Sequence, residues 1–273
     1  MTGPQDPPPA VDPTRPSPAR VYDYLLGGQQ NFESDRAAAE LLKSRAPELV
    51  DSAWANRGFH QRAASWIARQ GVGQFIDIGS GLPTVGNTHE VVRRVAPRAR
   101  VVYVDSDPLV LAHGGDLLRD DPASRVILAD MRDPDAVLGH RDLRALIDFS
   151  QPAGLLLTAV LHFVADESDP QALVKRYLAA LAPGSYLALS HMTNDQKPPQ
   201  AVQVLAEVGQ RAAGGSFHRT KDEVRGFFDG LRLVAPHPGA DLDVTWVGLW
   251  GCEDPVLADS DGSRWLYCGV AEK

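Results

Sequence analysis

A glycine-containing turn between two short apolar runs constrains the fold of this chain most strongly. Residues 75–83 read Phe-Ile-Asp-Ile-Gly-Ser-Gly-Leu-Pro, and a second apolar run, 101–105, ends in an acid. A strand that ends in glycines, followed one helix later by a strand that ends in an acid, is typical of the nucleoside site of a parallel α/β sheet. Gly79 and Gly81 allow a sharp turn and a close approach of the backbone to a ligand. The pattern predicts that Asp105 accepts hydrogen bonds from both ribose hydroxyls.

The third position of the glycine pattern separates two classes of nucleoside ligand. A dinucleotide site uses Gly-x-Gly-x-x-Gly, so that a pyrophosphate rests on the N-terminus of a closely packed helix. This chain instead carries Thr84, preceded by Pro83. A ligand with an adenosine and no phosphate therefore fits better, and S-adenosylmethionine is such a ligand. A nicotinamide-dependent oxidoreductase is the disfavoured alternative.

Acids at consecutive strand ends favour the same ligand. The apolar run 125–129 is followed by Asp130, whose carboxylate can accept a hydrogen bond from the adenine amine, and by Met131, whose backbone amide can donate to a ring nitrogen. A single acid in such a place is more commonly a turn or helix-cap residue. Here Asp77, Asp105 and Asp130 each close an apolar run, so we predict that adenosine lies along these three strand ends.

Composition limits the classes of partner. The formal net charge of −8 argues against a nucleic-acid partner. Cys252 and Cys268 lack the spacing of metal ligands or of a redox pair, which predicts a reduced, cytoplasmic protein without a metal. No stretch approaches the ~18 apolar residues of a membrane span. We therefore expect a small-molecule partner, while the oligomeric state stays open.

The chain divides into a tail and one domain. Residues 1–18 contain seven prolines, a composition typical of a flexible tail. A single domain, residues 19–273, follows and consists of a helical cap (19–72) and a core (73–273). In the core, strands and helices alternate, which predicts a doubly wound, mostly parallel, seven-stranded α/β sheet. The last two apolar runs predict an antiparallel hairpin at the sheet edge, and hence an antiparallel C-terminal strand.

Several motifs together resemble a known family. They are the run 19–28, Ala-Arg-Val-Tyr-Asp-Tyr-Leu-Leu-Gly-Gly, the glycine turn 77–81 and the run 102–108. These closely resemble the actinobacterial S-adenosylmethionine-dependent methyltransferases formerly described as a domain of unknown function, and the likeness spans nearly the whole chain. The resemblance implies a class I, Rossmann-like methyltransferase fold with a helical N-terminal cap. It also implies cofactor contacts from the glycine loop, Asp105 and the Asp130-Met131 pair, but no particular acceptor.

Two tyrosines and an arginine in the predicted cap suggest further contacts with the cofactor. Tyr22 and Tyr24 are two positions apart on a helix and cannot share a face, so one packs inward and the other closes over the cofactor. Arg57 either pairs with the methionine carboxylate or forms a salt bridge that ties the cap to the body. The predicted cofactor-binding residues are Asp77, Gly79, Gly81, Asp105, Ser106, Asp130, Met131, Tyr22 and Arg57.

The sequence also contains two candidates for a general base. Methyl transfer is an in-line displacement that depends mainly on alignment, and a base helps when the acceptor is a hydroxyl. His162 follows the fourth strand at the ligand-binding edge and is the first candidate, and His191, after the fifth strand, is the second. A structural role is the alternative for both. We predict a methyltransferase with an unidentified small-molecule acceptor; the alternative is a non-catalytic S-adenosylmethionine-binding sensor or accessory protein.

Overall fold

The computed structural model describes residues 11–273, so the first ten residues of the predicted tail lie outside the described residues. Three helices precede the first strand: α1 (Pro18–Leu25), α2 (Glu33–Arg45) and α3 (Leu49–Arg69). The first of them begins at Pro18, because Ser17 has an extended backbone and proline is favoured in the first helical turn.

Strands and helices then alternate. The first part of the core contains β1 (Gln74–Ile78), α4 (Thr88–Arg93), β2 (Arg100–Asp105), α5 (Pro108–Leu117), β3 (Ser124–Leu128), α6 (Pro134–Gly139), α7 (Arg141–Leu146), β4 (Gly154–Thr158), α8 (Pro170–Ala180) and β5 (Tyr186–Met192). The second part contains α9 (Pro199–Ala213), α10 (Lys221–Gly226), β6 (Arg232–Leu233), β7 (Thr245–Trp246), α11 (Pro255–Ala258) and β8 (Leu266–Glu272). Three short 3-10 helices span Leu161–Phe163, Asp166–Ser168 and Ser263–Trp265.

The strands form one doubly wound sheet in the order β3-β2-β1-β4-β5-β8-β6, with the two-residue β7 also paired to β8. Strands β1 to β5 are parallel, and β8 is antiparallel to β5. The predicted doubly wound, mostly parallel fold and the antiparallel C-terminal strand are therefore confirmed, but the sheet of the described residues has eight strands where seven were predicted. The last two apolar runs form β7 and β8, which were predicted to pair as a hairpin at the sheet edge. Of these two, only β7 lies at an edge, because β8 lies inside the sheet with six of its seven residues buried. Among the described residues, no helix is long and apolar enough to cross a membrane.

Two apolar layers cover the faces of the sheet. Side chains alternate along β1, so Phe75 faces one layer while Ile76 and Ile78 face the other. Helix α3 belongs to the first layer, where Phe59 and Ile67 are fully buried. The long helix of the predicted cap thus forms part of the core and brings its polar residues to the carboxyl ends of the strands.

Candidate functional site

A cavity of about 660 Å³ lies at the carboxyl ends of the parallel strands, under α1 and α9. Its volume falls within the range of about 300–1,000 Å³ that is usual for small-molecule sites. The structure brings together nine of the ten predicted site residues on its wall: Tyr22, Arg57, Gly79, Gly81, Asp105, Ser106, Asp130, Met131 and His162.

The glycine loop turns sharply at the end of β1. Gly79 and Gly81 both have left-handed backbones, with φ of +69° and +66°. A Cβ atom at Gly79 would lie 2.2 Å from Val160 Cγ2, so this position also has no space for a side chain. A Cβ atom at Gly81 would meet nothing within 4 Å. The loop therefore leaves its backbone close to the cavity.

Asp105 is held in one orientation at the end of β2. Its Oδ2 accepts a hydrogen bond from the Gly81 amide and its Oδ1 accepts one from the Asp107 amide, both at 2.9 Å. Burial raises the pKa of the Asp105 carboxyl to about 6, and these amide hydrogen bonds oppose the shift. A carboxylate has about four lone-pair positions, so two remain for a ligand.

The segment after β3 forms the neighbouring wall. Asp130 pairs with Arg132, whose guanidinium lies 2.6 Å from Oδ2 and 3.0 Å from Oδ1. The hydrogen bonds from Arg132 lower the pKa of the Asp130 carboxyl. The Met131 carbonyl accepts a hydrogen bond of 2.7 Å from the Tyr177 hydroxyl of α8. Tyr177 therefore fixes this wall, a role that nothing in its sequence context indicated.

Two cap residues reach the cavity. Tyr22 donates to the Ala53 carbonyl at 2.9 Å, whereas Tyr24 donates to Glu40 on the outside of the cap. Arg57 donates to the Gly86 carbonyl at 3.0 Å, and its buried Nε has no partner. Among the described residues Arg57 forms no ion pair, so the alternative of a salt bridge between cap and body is not formed.

Asp77 lies outside the main cavity, in a second, smaller pocket that it lines together with Arg57 and Gly81. Its side chain is buried on the α3 face of β1, where it accepts a 2.6 Å hydrogen bond from Thr88 and lies 3.6 Å from His60 Nε2. Burial raises the pKa of its carboxyl to about 6. Because side chains alternate along a strand, Asp77 points behind the glycine loop and does not line the main cavity.

The two candidate bases have different surroundings. His162 lies in the 3-10 turn after β4, is 3% exposed, and its Nδ1 has no partner. Burial, His191, His218 and Arg219 lower its pKa well below the usual value, so the ring is neutral. His191 donates from Nδ1 to the Met192 carbonyl and accepts from Arg219 at Nε2, both at 2.7 Å. With both nitrogens occupied and no place on the cavity wall, His191 is structural.

Residues 11–17, within the predicted tail, form part of the cavity wall. The Ser17 amide donates to Asp35 at 2.9 Å, and its hydroxyl donates to Asp107 at 2.5 Å. Arg20 joins the same group through Asp35. Proline content favoured a flexible tail over docking on the body, because it indicates a lack of local structure and carries no signal for contact with distant acids.

A family model identifies the class of protein. The model described as S-adenosyl methyltransferase matches residues 4–273. The chain belongs to this S-adenosyl methyltransferase family. It is therefore an S-adenosylmethionine-dependent methyltransferase, as the sequence predicted, and the oxidoreductase alternative is wrong.

Two solved structures agree with the assignment. A candidate methyltransferase from Thermobifida fusca YX is 42% identical, with 98% of each chain covered and a TM-score of 0.88. A DUF574-family protein from Streptomyces avermitilis MA-4680 is 38% identical, with 97% of this chain and 100% of that chain covered and the same TM-score. Among curated proteins, none matches this sequence.

Unpartnered polar atoms on the cavity wall fit the methyltransferase cofactor. Arg57 Nε, Ser80 Oγ and His162 Nδ1 are buried without a hydrogen-bond partner, and all three residues line the cavity. Buried polar groups normally have partners, so a ligand with several polar groups satisfies this wall. The guanidinium of Arg57 suits the methionine carboxylate, and Ser80 lies between the two glycines of the loop.

Proposed function

We propose that the methyltransferase binds adenosine along the ends of β1 to β3 and a small-molecule acceptor beyond β4. In this arrangement Asp105 accepts from the ribose hydroxyls, and Asp130 and Met131 hold the adenine. Arg57 binds the methionine carboxylate. The observation that carries the proposal is the single cavity that joins these residues to His162.

The remaining predicted site residues also have places in this arrangement. Ser106 is exposed at the cavity wall beside the proposed ribose position, and Tyr22 closes the opposite side. Asp77 acts as a positioning residue: through Thr88 at the start of α4 it holds the helix that follows the glycine loop. His162 is the proposed base for an acceptor that loses a proton.

The proposal also covers the cellular location, the class of acceptor and the source organism. Cys252 and Cys268 are both free thiols, which supports a reduced, cytoplasmic location. The net charge of −8 supports an acceptor other than nucleic acid. The organisms of the two similar structures support an actinobacterial source.

Transfer of a labelled methyl group tests the proposal. The protein is incubated with methyl-labelled S-adenosylmethionine and a cell extract that has been separated into fractions below and above about 3 kDa, a cut-off well above the mass of any molecule that fits a cavity of about 300–1,000 Å³. We expect label in a compound of the low-mass fraction. Label only in macromolecules would contradict a small-molecule acceptor, and tight cofactor binding with no transfer to any fraction would favour the sensor.

The pH dependence of cofactor binding tests the role of Asp105. The ionised carboxylate accepts from both hydroxyls, whereas the protonated acid has fewer acceptor positions. With a pKa of about 6, Asp105 is ionised above that pH and protonated below it. The affinity for S-adenosylhomocysteine is therefore expected to be constant above about pH 7 and to fall by about tenfold between pH 7 and pH 5, measured by calorimetry.

Two variants identify the group that titrates. Asp77 has a similar pKa, so Asp105→Asn and Asp77→Asn are compared. Asp105→Asn should remove the pH dependence and Asp77→Asn should keep it. The opposite pattern would assign the effect to Asp77. His60 and His191, with pKa values of about 3, stay neutral throughout this range.

A further inference from the structure

The part of the cavity beyond β4 has a different wall from the part at β1 to β3. We call it the acceptor arm; its wall includes His162, Phe163, Met192, Val208, Ala212 and Ser216. Strands β4 and β5 lie on one side of β1, and β2 and β3 lie on the other. The arm and the proposed adenosine position are therefore at opposite ends of the cavity.

Acidic residues are confined to the adenosine end. The carboxylates on the described cavity wall are Asp12, Asp105, Asp107 and Asp130, and no described wall residue after position 132 is acidic. The buried cation Arg219 lies near His162 and donates to the Val164 carbonyl at 2.9 Å, to His191 and to the exposed carboxylate of Asp166 at 2.5 Å, so Asp166 is already paired. An ammonium group in the arm would be buried without a countercharge, which is costly.

The polar atoms of the arm are neutral. His162 is almost completely buried and its Nδ1 has no partner. Ser216 Oγ lies 2.9 Å from His218 Nε2, and burial lowers the pKa of His218 to about 4, so that ring is also neutral. Segment 216–217 is fixed beside His162, because the Phe217 amide donates to the His162 carbonyl at 2.7 Å.

A hydroxyl group matches these atoms. A neutral imidazole presents one lone pair and one N–H, and a serine hydroxyl can donate and accept. A hydroxyl on the ligand can do both as well, so it pairs with His162 and Ser216 at once. The rest of the wall, formed by Phe163, Met192 and the small apolar residues of α9, suits an apolar body.

We propose that the acceptor is a neutral, largely apolar molecule with a hydroxyl group held by His162 and Ser216, and that the methyltransferase acts on its oxygen. This inference rests on the proposed function. The transfer forms a carbon–oxygen bond and breaks the carbon–sulfur bond of the cofactor, and the electron pair of that bond stays on sulfur. The hydroxyl proton passes to the lone pair of the His162 ring and from there to water, so atoms and charge balance.

Two aromatic probes of similar size, one neutral and one cationic, test the acceptor class. Protein loaded with S-adenosylhomocysteine is titrated with 4-propylphenol and with 4-propylbenzylamine, and binding is followed by saturation-transfer NMR. We expect the phenol to bind about tenfold more tightly than the protonated amine, since one buried hydrogen bond is worth roughly that factor. His162→Ala and Ser216→Ala should each weaken phenol binding severalfold. His113→Ala on α5, away from the cavity wall, should leave it unchanged.

The outcomes separate this inference from the proposed function. Equal or tighter binding of the amine would overturn the hydroxyl acceptor, as would phenol affinity that is the same in both arm variants as in the wild type. In either case binding of S-adenosylhomocysteine would leave the proposed function intact. Failure of the wild-type protein to bind S-adenosylhomocysteine would overturn both.

Discussion

Replacement of Asp105 by alanine is expected to lower the affinity for S-adenosylhomocysteine about 100-fold. The carboxylate accepts from the Gly81 and Asp107 amides and directs its remaining lone pairs into the cavity. Its loss leaves two ribose hydroxyls and the Gly81 amide without their acceptor, and a hydrogen bond to a charged group is worth about 1.5–3 kcal/mol. Calorimetric titration at pH 7.5 measures the change.

Two controls separate contact with the ligand from damage to the loop. Asp105→Asn keeps one acceptor oxygen and should lose less affinity than Asp105→Ala. Asp120→Ala removes an exposed carboxylate from the turn between α5 and β3, away from the cavity wall, and should bind as tightly as the wild type. An affinity for Asp105→Ala within a factor of two of the wild-type value would mean that the ribose lies elsewhere.

Replacement of Arg20 by methionine is expected to lower the free energy of unfolding by about 3–5 kcal/mol. Arg20 Nε lies 3.0 Å from Asp35 Oδ2, and the two side chains are 5% and 0% exposed. Arg20 also lies 3.7 Å from Asp107 and donates to the Asp12 and Arg15 carbonyls. Its removal leaves the buried Asp35 carboxylate without its cation. It also removes the hydrogen bonds that hold residues 12–15 against the cavity. Urea unfolding measures the loss, which corresponds to roughly 10 °C in Tm.

An exposed ion pair provides the matched control. Arg176 and Asp135 lie 2.5 Å apart, but their side chains are 56% and 74% exposed. Exposed pairs contribute about 0–1 kcal/mol, so Arg176→Met should unfold at nearly the wild-type urea concentration. Equal stability of Arg20→Met and Arg176→Met would show that the group around Asp35 does not hold the cap to the body.

The parallel core could be predicted because its signals are local. Strand β2, Arg100–Asp105, contains the whole apolar run 101–105 on which the prediction rested, since this run is buried on both faces and ends at an acid. The glycine loop was predictable because glycine adopts a left-handed backbone without strain, and at Gly79 a side chain would also clash with Val160. Helices α6 and α7, of six residues each, were not predicted.

Side-chain direction explains most of what the sequence did not reveal at the site. Asp77 and Asp105 both lie in apolar runs, but Asp77 points behind the loop towards Thr88 while Asp105 faces the cavity. The neutral acceptor arm depends on α9, which is more than thirty residues from His162 in the chain. Such contacts follow from tertiary packing, and no spacing in the sequence encodes them.

A crystal structure of the protein with S-adenosylhomocysteine tests the central claim most directly, because it locates the adenosine. We predict both ribose hydroxyl oxygens within about 2.5–3.0 Å of the Asp105 carboxylate, the hydrogen-bond range of such a pair, with the adenine beside Asp130 and Met131. An adenosine bound away from Asp105, at the acceptor arm or outside the cavity, would contradict the account.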